Sequence, residues 1–243
     1  MMCLRGILLV ATLGLVHGVF VDYENRNLLS VSTASIPDDV TILNLQRNQI
    51  SSVPAHSFSR CPELADLNMS YNRITFVDKD AFTGTVIAIL KIKFNDLTAV
   101  PDLSAIKATL TFLSVHSNKV TDIDNMMFFD NLEILYAGDN NISTFDSNLF
   151  AEMSKIEIIG LANNAIASLD VLLSAHPNHI VTVYMKDNPA LKDCTCYLVN
   201  VLQRLDQKLK VLGDCLFDDF TTKLDTLTVE SMCSEMRNTI GKH

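Results

Sequence analysis

The chain has 243 residues, enough for one large domain or two small ones. Apolar residues make up 48% and charged residues 19%, so it can bury a sizeable core and is not disordered by composition. The 19 Lys+Arg against 28 Asp+Glu leave a net charge of -9, which argues against a grip on nucleic-acid phosphates, and eight Gly with no low-complexity run argue against a collagen-like or linker-like chain.

Residues 1–18 read as a signal peptide. Arg5 supplies a short positive region, and Ile7 to Val16 is an apolar stretch of about ten residues, too short to span a bilayer. Val16-His17-Gly18 suits signal peptidase, with the cut after Gly18. The competing reading, a buried N-terminal strand, fits the terminal position and the charge pattern less well. Residues 19–39 follow as an N-terminal cap without cysteines. No later stretch reaches the ~18 apolar residues of a membrane span, and the polar end Arg237 to His243 is no lipid-anchor signal. The expectation is a secreted, extracellular protein with no membrane span or lipid anchor.

From residue 40 to 187 one pattern recurs: apolar–x–x–apolar–x–apolar–x–x–Asn–x–apolar. It begins at Val40, Leu64, Ile87, Leu110, Leu132, Ile156 and Ile180, at intervals of 22 to 24 residues. The turn residues are Asn48, Asn72, Asn95, Asn118, Asn140, Asn164 and Asn188. The alternating first half, such as Leu43-Asn44-Leu45, predicts a short strand with one buried face. The Asn that follows is placed to bond backbone groups of neighbouring turns. Five residues after the first six Asn come Val53, Val77, Val100, Ile123, Phe145 and Leu169; ten after come Phe58, Phe82, Phe128 and Phe150, with Ala105 and Ser174 breaking the series. These residues are expected to fill the inside of the return segment. No turn buries its own apolar face, so stability must come from stacking.

Cysteines follow the same order. Cys3 leaves with the signal, and Cys61 reads as a small buried hydrophobe, a bridge to another chain being the alternative. Cys194, Cys196, Cys215 and Cys233 are expected to pair in an oxidising compartment. Of the three connectivities, the one containing Cys194–Cys196 is least favoured by geometry, and zinc binding is the weaker reading.

The repeat resembles that of extracellular leucine-rich repeat proteins with units of about 24 residues, over residues 28–191. The resemblance implies an α/β solenoid: a horseshoe with a parallel concave β-sheet and an irregular convex side. Asn188-Pro189 to Cys196, then Cys215 and Cys233, are similar to the cysteine-rich C-terminal flanking domain of that family, which makes 188–243 a disulfide-bonded cap. Carried over, the family pairing is Cys194–Cys215 and Cys196–Cys233. Ala190, and two extra residues before the cysteine pair, depart from the usual motif. Within the cap, Tyr197 to Leu212 has apolar residues at helical spacing (Leu198, Val201, Leu202, Leu205), which predicts a capping helix.

No catalytic motif, phosphate loop or metalloprotease signature is present, so the chain reads as no enzyme, with no cofactor and no metal. His176 and His179 lie in a loop and read as solvated rather than as ligands. The concave face is more informative. Its first row is Ile42, Asp66, Ile89, Phe112, Ile134, Ile158 and Thr182; the next is Asn44, Asn68, Lys91, Ser114, Tyr136, Gly160 and Tyr184; the third is Gln46, Ser70, Lys93, His116, Gly138, Ala162 and Lys186. Arg47, Tyr71, Phe94, Ser117, Asp139, Asn163 and Asp187 flank them. Exposed apolar rows bordered by aromatic and charged residues mark interaction surfaces. The expected partner-binding strip is Ile89, Phe112, Ile134 and Ile158, with Lys91, Lys93, Tyr71, Phe94 and Tyr136 around it. Asn68-Met69-Ser70 and Asn141-Ile142-Ser143 are glycosylation acceptors, at Asn68 and Asn141. These features point to a secreted protein that recognises an extracellular protein, and the family resemblance implies a role in innate immunity or in regulating another secreted protein. The alternative is a structural component of an extracellular, including a mineralised, matrix. Pairing of two copies through their concave faces is the other occupant of the strip.

Overall fold

The computed structural model describes residues 18–31, 36–179, 181–191, 202, 204–217 and 220–223. The chain divides into two compact units, Met1–Asn118 and Lys119–His243. The first holds β1 (Val19–Asp22), β2 (Val40–Asn44), β3 (Ser52–Val53), β4 (Asp66–Asn68), β5 (Phe76–Val77), β6 (Ile89–Lys91) and β7 (Phe112–Ser114). Here β1, β2, β4, β6 and β7 pair in that order, all parallel, and β3 pairs with β5 alone. The second unit holds β8 (Ile134–Tyr136), α1 (Leu149–Glu152), β9 (Ile158–Gly160), α2 (Asp170–Leu173), β10 (Val181–Tyr184), β11 (Leu209–Leu212), β12 (Asp214–Phe217) and β13 (Phe220–Lys223). Its strands β8 to β11 pair in chain order and parallel, while β12 and β13 form an antiparallel hairpin. Parallel neighbours need a long connection, and the described connections within β2 to β7 and from β8 to β9 are each one coil of a solenoid, as the repeat predicts.

The cores follow the pattern. Leu43, Leu67, Leu90 and Leu113 are fully buried in the first unit, as are Leu135, Ile159 and Val183 in the second. The residues five after each Asn, from Val53 to Leu169, are all buried.

The turn asparagines account for backbone groups that strand pairing leaves over. The Oδ1 of Asn95 accepts the Ile74 N–H of the preceding turn at 2.9 Å. Its Nδ2 donates to the Met69 carbonyl of that turn at 3.1 Å, and to its own turn at Ile92 and Lys93, at 3.0 and 3.3 Å. Asn72 and Asn118 repeat this in the first unit, and Asn164 and Asn188 in the second. A primary amide, with two donors and a two-lone-pair acceptor on one planar group, suits this bridge.

Three details depart from the expectations. Phe128 does not fill the return segment: it is 50% exposed, and Phe129 is buried instead. The same one-residue slip puts Ile106 and Ala175 inside rather than Ala105 and Ser174. In two of these return segments a one-turn 3-10 segment (Ser104–Ile106, Asp124–Met126) carries the chain, and in the other α2 does. The broken Phe series is therefore a shift of register, not a loss of packing.

Second, Val19–Asp22 forms a strand before the first repeat. Asn48 bonds to it as to any preceding turn: Oδ1 accepts the N–H groups of Arg26 and Leu28 at 2.9 and 3.0 Å, and Nδ2 donates to the Tyr23 carbonyl at 2.9 Å. This puts Arg26 where a turn Asn belongs. Arginine has donors and no acceptor, so the Asn-anchored pattern does not reveal this turn.

Third, the segment read as a capping helix through Leu212 ends in a strand. Leu202 and Arg204 are helical, but Leu209–Leu212 pairs with Val181–Tyr184. Its side chains alternate, with Leu209 and Val211 buried and Lys210 exposed, a period of two that the helical spacing upstream conceals. Residues 1–17, including most of the expected signal peptide, lie outside the described residues, as do Cys194, Cys196 and Cys233 and the side chain of Cys215.

Candidate recognition surface

In the first unit the register aligns Ile42, Asp66, Ile89 and Phe112 in one row, and Asn44, Asn68, Lys91 and Ser114 in the next. Ile42 is exposed, whereas Ile89 and Phe112 are half-buried. The Lys91 ammonium reaches both carboxylate oxygens of Asp66, at 3.2 and 3.1 Å, so this cation is neutralised on the face itself. In the third row the Ser70 hydroxyl is buried with no hydrogen-bond partner.

A pair of exposed, stacked rings lies one residue further on. Tyr71 and Phe94, 38% and 39% exposed, stack with centroids 4.3 Å apart and planes 10° from parallel. The Phe94 ring meets His116 edge-on at 5.8 Å. The Arg47 guanidinium lies 5.5 Å from the Tyr71 ring centre and the Lys93 ammonium 5.9 Å from it, both within cation–π range. Arg47 also donates to Glu24 at 3.1 Å. Arg47, Tyr71, Phe94 and Ser117 all have φ between 53° and 56°. This left-handed conformation is imposed by the turn into each Asn. Its effect is to hold one side chain per turn at the rim of the sheet. Sequence reading placed these residues beside the face; the stack and its flanking cations needed the structure.

In the second unit Ile134, Ile158 and Thr182 align, and Tyr136, Gly160 and Tyr184 align beside them. Ile134 and Ile158 are half-buried, whereas Tyr136 and Tyr184 are exposed. A Cβ on Gly160 would lie 2.8 Å from Tyr136 Cδ1, so the absence of a side chain lets the Tyr136 ring lie over the neighbouring strand.

Of the glycosylation acceptors, Asn141 is exposed, with Ser143 exposed beside it. Asn68 is half-buried: its Nδ2 donates to Gln46 Oε1 at 3.1 Å and its Oδ1 accepts the Ser70 N–H at 3.0 Å. Cys61 is buried with a free thiol; burial pushes that thiol up from its ordinary pKa, Asp38 adds to the shift, and Arg60 opposes it. His176 lies 3.7 Å from Asp206, and the His179 Nε2 meets the Ile156 carbonyl. Among the described residues no group of three or more His, Cys, Asp or Glu is placed to hold a metal ion, and no described helix is long and apolar enough to cross a membrane.

Parallel strands at one turn each, with an Asn bridge in the turns from Asn48 to Asn188, are the leucine-rich repeat fold. The leucine rich repeat family model matches residues 38–97 and 108–166. Keratocan of Mus musculus is 28% identical over 160 residues, which is 63% of this chain and 44% of that protein. Podocan-like protein 1 of Homo sapiens is 31% identical over 123 residues, 49% of this chain and 22% of that protein. The chain thus spans less than half the length of these curated relatives. Among solved structures, human 5T4 (Wnt-activated inhibitory factor 1, trophoblast glycoprotein) superimposes with a TM-score of 0.56 at 24% identity, covering 79% of this chain and 85% of that one, a likeness of fold.

Proposed function

We propose that this is a secreted, non-enzymatic recognition protein that binds an extracellular protein through the exposed face of its sheet, in innate immunity or in regulating another secreted protein. The observation that carries the reading is the rim of the first unit, where Tyr71 and Phe94 stay exposed yet are fixed by stacking and by the Arg47 and Lys93 cations. Rigid, exposed aromatic side chains beside cations are the usual anchors of protein interfaces. The reading also takes residues 1–18 as a cleaved signal and 188–243 as a cap closed by Cys194–Cys215 and Cys196–Cys233, with glycans at Asn68 and Asn141. The second reading, a structural component of an extracellular matrix, is supported by the likeness to keratocan and podocan-like protein 1, which are extracellular matrix proteins.

The test is capture from native extracellular fluid and from its insoluble residue. The bait is the protein beside an Ile89→Asp/Phe112→Asp variant shown to be folded. A soluble partner held by the first and lost by the second supports recognition. Equal retention of both in the insoluble fraction, reversed by salt or chelator, overturns it in favour of the matrix.

A further inference from the structure

We infer that the rim column of the first unit, Arg47–Tyr71–Phe94–His116 with Lys93, is a docking rail for an extended, acidic peptide segment of a partner protein. The inference rests on the recognition reading above and names the chemistry of the ligand.

The argument starts from what the stack leaves open. Tyr71 and Phe94 cover one another's faces, Arg47 and Lys93 lie within cation–π range of the Tyr71 ring, and His116 meets Phe94 at an edge. Little ring face remains for a sugar or an aromatic guest to stack on. With the faces so occupied, a ligand would meet the ring edges, the electropositive part of an aromatic quadrupole. Edges and cations together favour carboxylates and carbonyl oxygens.

The density of cations then selects the class of anion. Lys91 is held by Asp66, and Arg47 is shared with Glu24. Lys93 has no acidic partner among the described residues, only the Tyr71 ring. One unpaired and one shared cation, on a chain of net charge -9, are too few for a sulfated glycan or another polyanion. They suit a peptide with spaced carboxylates and apolar residues between them.

The spacing agrees. Arg47 and Lys93 belong to turns two strands apart, and neighbouring strands lie about 4.8 Å apart, which separates the two cations by roughly 10 Å along the rail. A polyproline-type chain rises about 3.1 Å per residue with three residues per turn, so acidic residues at i and i+3 recur on one side at nearly that distance.

The test uses the full chain and a fluorescein-labelled (Glu-Pro-Tyr)4 peptide, with (Gln-Pro-Tyr)4 and a heparin octasaccharide as comparisons, read by anisotropy. Saturable binding of the Glu peptide is expected, with affinity about tenfold lower for the Gln peptide and for an Arg47→Gln/Lys93→Gln variant of unchanged melting temperature. Tyr71→Leu should also weaken it, through the lost edge and the lost anchor for both cations. Equal binding of the Glu and Gln peptides, no binding of either, or heparin binding that depends on the same cations would each overturn the proposal. The capture experiment separates this from failure of the wider reading: a soluble partner lost by Ile89→Asp/Phe112→Asp but kept by Arg47→Gln/Lys93→Gln leaves recognition standing and removes the rail.

Discussion

The two units solve the same backbone problem with different residues. Each turn enters its Asn through a left-handed position. In the second unit these positions hold Asp139, Asn163 and Asp187, with φ of 50°, 53° and 58°. Asn and Asp are the side chains that tolerate this region best. In the first unit the same conformation is forced on Arg47, Tyr71, Phe94 and Ser117. Bulky residues there cost about 1–2 kcal/mol each, and the return in this fold is a stack that stays half in water. A local rule broken without a gain in core packing is where function is to be sought. The second unit, by contrast, closes its column with an Asn163–Asp139 hydrogen bond of 2.5 Å.

The comparison requires first that the units be alike beneath the surface. Asn95→Ala and Asn164→Ala should each cost about 3–5 kcal/mol in urea unfolding, because each strands several buried backbone groups. Equal losses would make the ladder common to both units and leave the rim as the difference. A much smaller loss in one would mean that its turns are held by something other than the amide. Next in size, Phe129→Ala should cost about 3–4 kcal/mol and Phe128→Ala under ~1 kcal/mol. The reverse order would restore the register read from the sequence.

That register shows what a sequence can and cannot convey here. The seven asparagines were legible because each is needed for its chemistry, and no other side chain offers donors and acceptor in that geometry. Inward strand residues were legible from their period of two. The return segments were less so: a 3-10 turn and an α-turn advance the chain differently, and nothing in Met127-Phe128-Phe129 says which Phe faces in. The strand at Val19–Asp22 was hidden by Arg26. In the exposed row Ile89 and Phe112 stand in register on neighbouring strands and are half-buried, while the ring stack depends on a backbone angle that sequence does not display.

A smaller effect probes the second unit. Gly160→Ala places a Cβ against Tyr136, so the ring must lift, at about 1–2 kcal/mol. Nitration of Tyr136, followed by mass spectrometry, should rise with it. Unchanged nitration and stability would show that the ring is not seated over that strand.

The smallest change in stability is the one that decides between the two uses of the left-handed column. Tyr71→Asn/Phe94→Asn gives the first unit the residue type the second uses. Relief of the strained backbone, about 1–2 kcal/mol per position, works against the loss of ring stacking, about 0.5–1.5 kcal/mol, and of the half-buried ring area. The net should lie within ~1 kcal/mol, measured by urea unfolding. The converse change, Asn163→Tyr, puts a ring between Asp139 and Asp187, where it finds no aromatic neighbour to stack on, and should destabilise by about 1 kcal/mol. If the Asn pair leaves the fold intact and removes the acidic peptide, the rings of the first unit are there for the ligand. A loss of several kcal/mol would make them part of the structure, and the rim of the second unit would become the better place to seek a partner.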